Sequence, residues 1–170
     1  MNERQIDRLL VLTARGDNDA FAQLYEETKR GVYSFLYSYL QNRDDTEDAL
    51  QNTFLKIKLN IDKYAQNTNG RAWILQIAKN VALNEIYARK RLSPLDDELK
   101  AADKEISSDV IGVMQKILSD DEQRIMILHV LWGYKHREIA NILNCPTGTV
   151  TSKYKRSVEK LKSALKEVER

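Results

Sequence analysis

Few side chains in this sequence are able to carry covalent or metal chemistry. There are two histidines, His129 and His136, and one cysteine, Cys145. They fit no metal-ligand spacing and no base–nucleophile pairing. The carboxylates gather at helix starts, where capping accounts for them, and no glycine-rich phosphate loop is present. The expectation is a protein that is not an enzyme and takes no metal or cofactor. What remains is noncovalent recognition by hydroxyls, amides and cations. These concentrate in Gly133–Leu165, GYKHREIANILNCPTGTVTSKYKRSVEKLKSAL. Between Lys153 and Lys166 six cations face one anion, Glu159, although the whole chain carries only +2. Charge clustered on one segment is the footprint of a nucleic-acid contact.

Two helices must position those groups. Ile139, Ala140, Ile142 and Leu143 form the apolar stripe of a short first helix. Asn144-Cys145-Pro146 stops it, because the residue before a proline is steered away from helical angles. Thr147 is expected to cap a second helix, with Gly148 adding freedom at the turn. There Val150, Tyr154, Val158, Leu161 and Leu165 share one face. Thr151, Ser152, Lys153, Lys155, Arg156, Lys160 and Lys162 occupy the other. Helix, tight turn and a second helix with hydroxyls and cations near its start is the helix-turn-helix pattern, whose second helix enters the DNA major groove.

The rest of the chain reads as helical. Only 6 Gly and 2 Pro occur in 170 residues, and 42% of residues are apolar, which suits an almost all-helical globular protein. A single cysteine excludes an internal disulfide. No apolar run approaches the ~20 residues of a membrane span, and MNERQIDRLL lacks a signal peptide's apolar core. The expectation is a cytoplasmic protein with no membrane insertion.

The first half predicts four helices. Residues 2–15 put Ile6, Leu9, Leu10 and Thr13 inward. A second helix, capped within Asp17-Asn18-Asp19, runs from Ala20 to about Gln41 with a broad aromatic and aliphatic face. A third, capped by Thr46 or a preceding aspartate, runs to about Asn60. Acids crowd its first turn, as the helix dipole favours. Its stripe is Ala49, Leu50, Thr53, Phe54 and Ile57; Leu55 lies among polar neighbours and hints at a partner surface. Asp62–Gly70 is a polar loop with one tyrosine, Tyr64. Arg71–Arg91 is a long helix with Trp73, Ile74, Ile77, Ala78, Val81 and Ala82 inward and Gln76, Lys79, Asn80 and Asn84 on its polar side. Arg89, Lys90 and Arg91 close it. A loop of amides and a tyrosine beside a cationic helix suits single-stranded DNA, whose bases stack or flip while phosphates meet charge.

Residues 92–107, LSPLDDELKAADKEIS, carry a proline and an acidic excess and read as a flexible linker. The fold class expected is all-α: two small helical domains, 1–91 and 108–170, joined by the acidic linker 92–107, the second containing the helix-turn-helix. In that second domain Ser108 or Asp109 is expected to cap a helix to Leu118. Ser119 with Glu122 forms a capping box for a helix that runs to Gly133.

Both halves resemble the sigma-70 family of bacterial RNA polymerase initiation subunits, in particular its two-domain extracytoplasmic-function (group 4) members. The first half is similar to region 2 across DAFAQLYEETKRGVYSFLYSYLQNRDDTEDALQNTFLKIK and RAWILQIAKNVALNEIYARKR. The second is similar to region 4 across LSDDEQRIMILHVLWGYKHREIANILNCPTGTVTSKYKRSVEKLK. The resemblance implies a sigma factor that directs core polymerase to promoters through −35 duplex binding and −10 strand capture. It implies that Asp48, Gln51, Phe54 and Leu55 grip the polymerase β′ clamp helices, and that a further contact reaches the β flap. It implies −10 contacts from the loop Tyr64–Asn69, including Tyr64, Gln66 and Asn67, and from Gln76, Asn80 and Asn84, with Arg89 and Lys90 at the cationic helix end. In the second domain it implies that Ser152, Lys155 and Arg156 face −35 bases and that Thr149 and Lys153 lie near phosphates; Thr151 is a further candidate, with the base-facing residues, for reading sequence. An anti-sigma partner is implied as well.

The chain departs from the family at Lys135, where Ser or Thr often caps the first helix of the motif. It departs also at Gly70 (often aromatic), Gln76 (often Arg), Asn52 (often Glu) and Thr151 (often Lys or Arg). Lys135 cannot cap, so that helix end is expected to find another partner or to be looser. A reading from another class is a stand-alone helix-turn-helix regulator whose first half binds a ligand or dimerises.

Overall fold

A computed structural model describes residues 3–92 and 110–168. Most of those residues are helical, and none of them lies in a strand. They fall into two compact units. The expected linker, from residue 93 on, and the expected caps Ser108 and Asp109 lie outside the described residues.

The first unit holds α1 (Glu3–Ala14), α2 (Asn18–Leu40), α3 (Arg43–Leu59) and α4 (Gly70–Leu92), with a 3-10 turn at Ile61–Lys63. Helix α2 is central, in contact with α1, α3 and α4. This is why Ser34 through Ser38 are buried in succession, a pattern that a one-sided amphipathic helix does not show. Ile6, Leu10, Leu24, Phe35, Leu36, Ile57 and Ile74 are fully enclosed, each worth about 1.5–3 kcal/mol of burial. The hydroxyls trapped among them are satisfied locally. Thr13, Thr28 and Thr53 donate to the carbonyls of Leu9, Leu24 and Ala49 at 2.7, 2.6 and 2.7 Å, one turn back along their own helices.

The helix ends follow from cap chemistry. Asp17 Oδ1 accepts the Ala20 N–H at 3.0 Å and starts α2. Gln41 turns the chain out of α2 in the left-handed conformation, φ 51°. The cap of α3 differs from the expectation: it is Asn42, whose Oδ1 accepts the Asp45 N–H at 3.0 Å. Thr46 is buried inside the helix and donates its hydroxyl to the Asn42 carbonyl at 2.5 Å. An amide with extended backbone immediately after a left-handed residue outcompetes a threonine that the core needs.

The second unit holds α5 (Val110–Ile117), α6 (Asp120–Met126), α7 (His136–Leu143) and α8 (Thr147–Val168) around Trp132, Leu128, Ile125, Ile139 and Val150. Ser119 and Glu122 form the capping box of α6. The helix expected to reach Gly133 instead passes into a π turn at Ile127–Leu131. Glu122 is buried and meets Lys160 Nζ of α8 at 2.7 Å. Leu165, expected on the inner face of α8, is exposed.

Candidate functional site

Helix α3 presents a mixed face to solvent. Asp48, Gln51, Leu55 and Leu59 follow one another at three- and four-residue steps, and all are exposed. Leu55 is 55% and Leu59 69% accessible, so two leucines one turn apart lack any cover within the described residues. Phe54 does not belong to this face. It is buried at the α2–α3 contact, its ring edge-on to Tyr25 at 4.7 Å and to Phe21 at 6.4 Å. One residue of offset turns it 100° from Leu55 and into the core. Leu59, which the sequence reading does not include, shares this face through its four-residue spacing from Leu55.

The loop between α3 and α4 exposes Ala65, Gln66, Asn67 and Thr68. Asn67 is left-handed, φ 62°. Asn69 Oδ1 accepts the Ala72 N–H at 2.9 Å at the start of α4. Tyr64 lies beneath the loop rather than on it. Its ring is tilted against Trp73 at 5.3 Å, and its hydroxyl donates to Asp7 of α1. Burial first, and then the bond to Asp7, push its pKa up to about 12. The ring thus faces Trp73, and the hydroxyl faces α1 rather than the loop's exposed surface. Gly70 explains the arrangement. A Cβ there would stand 2.9 Å from Leu10 Cδ1, 3.1 Å from Ile6 Cγ2 and 3.2 Å from the Tyr64 hydroxyl. An aromatic residue has no room at this place in this chain.

Along α4, Gln76, Asn80 and Asn84 are exposed at four-residue spacing, and Gln76 Nε2 donates to Asn80 Oδ1 at 3.0 Å. The loop amides and this row give the first unit a polar surface of hydrogen-bonding groups without fixed charge. Lys90 is exposed. Arg89 is half-buried and paired with Asp45 of α3 and with Glu85, so it joins two helices rather than projecting freely.

In the second unit α7 and α8 are joined by a tight turn. Asn144 is left-handed, φ 53°, and the Cys145 N–H donates to the Ala140 carbonyl at 3.0 Å, a Schellman-type closure. Thr147 is the first residue of α8 rather than its cap; the Pro146 carbonyl accepts the Thr149 N–H at 3.0 Å. Lys135 leaves α7 closed all the same. Its backbone N–H donates to Glu138 Oε2 at 2.7 Å, and its carbonyl accepts the Ile139 N–H at 3.0 Å. That is half of a capping box, made without a side-chain acceptor at the cap.

On α8, Ser152, Lys155 and Arg156 are exposed at i, i+3 and i+4 and share one face. Thr149, Thr151 and Lys153 are half-buried. The Thr151 hydroxyl donates to the Thr147 carbonyl at 3.1 Å and lies 3.2 Å from His136 Nδ1 of α7. His129, His136 and Tyr154 form a ring cluster with centroids 4.8–5.1 Å apart. Burial, and then His129, hold the His136 pKa below its ordinary value. Lys153 is paired with Asp121 of α6, and that hydrogen bond is the main reason the Asp121 carboxyl lies below the usual carboxylate range. Among the described residues no three His, Cys, Asp or Glu side chains are grouped to hold a metal ion, and no helix is long and apolar enough to cross a membrane.

Residues 24–92 match the family model for Sigma-70 region 2, and residues 116–161 match that for Sigma-70, region 4. The chain is similar to the ECF RNA polymerase sigma factor SigW of Bacillus subtilis, 28% identical over 98% of this chain and 100% of that one. It is also similar to the ECF RNA polymerase sigma-E factor of Escherichia coli, 29% identical over 94% of each. Among solved structures, the fold is shared with the sigma factor RpoE, solved in complex with the anti-sigma factor NepR from Bartonella quintana. That match has a TM-score of 0.66, 24% identity, and covers 86% of this chain and 96% of that one. CnrH, solved in complex with the cytosolic domain of CnrY, matches with a TM-score of 0.61 at 20% identity, over 96% and 98%.

Proposed function

The chain belongs to the extracytoplasmic-function sigma factors of the sigma-70 family, and from that premise we propose how its surfaces divide the work of starting transcription. A sigma factor directs core RNA polymerase to specific promoters. The observation that supports this division is that the α3 row, the loop and α4 amides, and the Ser152, Lys155 and Arg156 face of α8 are all exposed on the two matched blocks.

The α3 face of Asp48, Gln51, Leu55 and Leu59 grips the β′ clamp helices, the leucines supplying apolar contact and the polar residues its register. Phe54 holds that face from behind. In the first unit Gln66 and Asn67 of the loop, with Gln76, Asn80 and Asn84 of α4, read the −10 element as a single strand. Amides suit that task, because each offers a donor and an acceptor to a base edge. Lys90 meets the backbone, and capture of a flipped base offsets an unstacking cost of a few kcal/mol. In the second unit α8 enters the major groove at −35. Ser152, Lys155 and Arg156 face bases, while Thr149, Thr151 and Lys153 line the edge toward phosphates; the β flap receives this unit.

The action is by binding alone, without covalent chemistry, and its place is the cytoplasm, where the polymerase works. An anti-sigma protein covering these faces is the regulatory partner we propose, in keeping with the NepR complex of the structural relative. Run-off transcription with core polymerase on fragmented genomic DNA tests the reading. Discrete transcripts that require both proteins are expected. Tight binding to duplex DNA with no affinity for core polymerase would overturn it.

A further inference from the structure

The −10 loop is tied to α1 at a single oxygen. Asp7 Oδ1 accepts the Tyr64 hydroxyl and, at 3.1 Å, the Asn67 backbone N–H. The two donors bracket the loop, one buried at its root and one at its exposed tip. The same stretch of α1 is held to the start of α4 by Glu3 Oε2 and Arg71 Nη2 at 2.9 Å. Gly70 admits Ile6, Leu10 and the Tyr64 hydroxyl to the space that a side chain would fill.

Asn67 is the one described residue of this loop with a positive φ, a conformation that asparagine tolerates but does not prefer. A short polar loop with this residue at its tip has alternatives of similar energy, and choosing one costs conformational entropy. The Asp7 carboxylate makes the choice during folding. Its acceptor is charged, and hydrogen bonds to charged groups are about twice as strong as neutral ones. The loop then meets the strand already ordered, so the ordering cost is not subtracted from binding.

We propose that Asp7 is a positioning residue for −10 recognition: by clamping Tyr64 and Asn67 it presets the loop that carries Gln66 and Asn67 to the non-template strand. The proposal rests on the loop being the −10 reader, and the test keeps the two apart. Wild-type, Asp7→Ala and Asp7→Asn proteins are each assembled with core polymerase. The probe is a fluorescent single strand carrying the non-template −10 sequence of a promoter the wild-type holoenzyme transcribes, compared with the same strand altered at one −10 base. Core affinity and thermal midpoint are measured alongside.

For Asp7→Ala, discrimination between the two strands is expected to fall about tenfold, the worth of one charge-assisted hydrogen bond, with core affinity unchanged. Asp7→Asn is expected to lose less, about threefold, because the amide oxygen still accepts but without charge. Equal discrimination by wild type and Asp7→Ala overturns the proposal and leaves the loop reading standing. Absence of discrimination in the wild type overturns both. A parallel loss of core affinity and strand discrimination, unrescued by Asp7→Asn, makes Asp7 a residue of general stability and overturns the proposal too.

Discussion

Lys153 and Asp121 are joined across the second unit, Nζ to Oδ2 at 2.5 Å, so a cation on the proposed DNA-binding helix is held by a carboxylate of α6. The pair is partly exposed and worth little to stability. It does set a competition, because Lys153 cannot serve Asp121 and a phosphate equally. Asp121→Asn is expected to leave folding almost unchanged and to tighten binding to −35 duplex. The slope of log affinity against log salt should steepen by up to about 1, the equivalent of one further phosphate contact. An unchanged slope would show that Lys153 has no part in DNA binding.

Glu122 and Lys160 form a different kind of pair. The Glu122 side chain is only 2% exposed and also accepts the Ser119 N–H at 2.9 Å. Burial opposes its charge, but the bonds from Lys160 and Ser119 outweigh it and hold its pKa below the ordinary value. Its contribution is therefore present above about pH 4.5 and is lost as pH falls through the depressed folded value. Glu122→Ala is expected to destabilise the second unit by about 2–3 kcal/mol, somewhat below a fully buried pair because Lys160 reaches water. Trp132 fluorescence in a Trp73→Phe background reports that unit during acid titration. A Glu122→Gln protein with an unaltered acid slope would refute the assignment.

Two opposing effects decide Gly70→Ala. Alanine is the better helix former by at most ~1 kcal/mol. Its Cβ, however, would lie 2.9 Å from Leu10 Cδ1 and 3.1 Å from Ile6 Cγ2, on side chains that are fully buried. Overpacking of this kind costs about 1–3 kcal/mol, so a net loss of about 1 kcal/mol is expected in denaturant unfolding. A stabilised protein would mean that α1 shifts freely on α4.

The division between Phe54 and its neighbours has a direct check. Leu55→Ser with Leu59→Ser removes exposed apolar surface and should lower core-polymerase affinity about tenfold or more with the thermal midpoint preserved. Phe54→Ala should instead cost about 3–5 kcal/mol of folding stability. Full core affinity in the double leucine variant would remove α3 from the polymerase interface.

His136 gives the second unit an acid sensitivity near neutrality. Its folded pKa is depressed by burial and then by His129, so the unfolded chain takes up the proton first. Stability is complete above about pH 6.5 and declines as pH falls below it. The His136–Thr151 contact places this titration against α8, and −35 duplex affinity is expected to weaken over the same range. His136→Gln should flatten the stability profile between pH 7.5 and 5.5; an unchanged profile would assign the titration elsewhere.

What the sequence by itself determined is whatever repeats within one helical turn. The stripe Ile6, Leu9, Leu10 and Thr13, the cap at Asp17, the box of Ser119 with Glu122 and the exposed trio Ser152, Lys155 and Arg156 all follow from contacts three or four residues apart. The family resemblance also lay in the sequence, because two blocks in order carry more information than one motif. The same spacing set Phe54 inward and Leu55 outward on α3; tertiary structure decided that Leu165 is exposed although its spacing puts it on the inner face of α8. It decided that Asn42 rather than Thr46 caps α3, and that Tyr64 lies under its loop. It alone brought Asp7 to Tyr64 and Asn67, 57 and 60 residues away, and Asp121 to Lys153, 32 residues away. Such pairs depend on how whole helices cross, and no local periodicity encodes that.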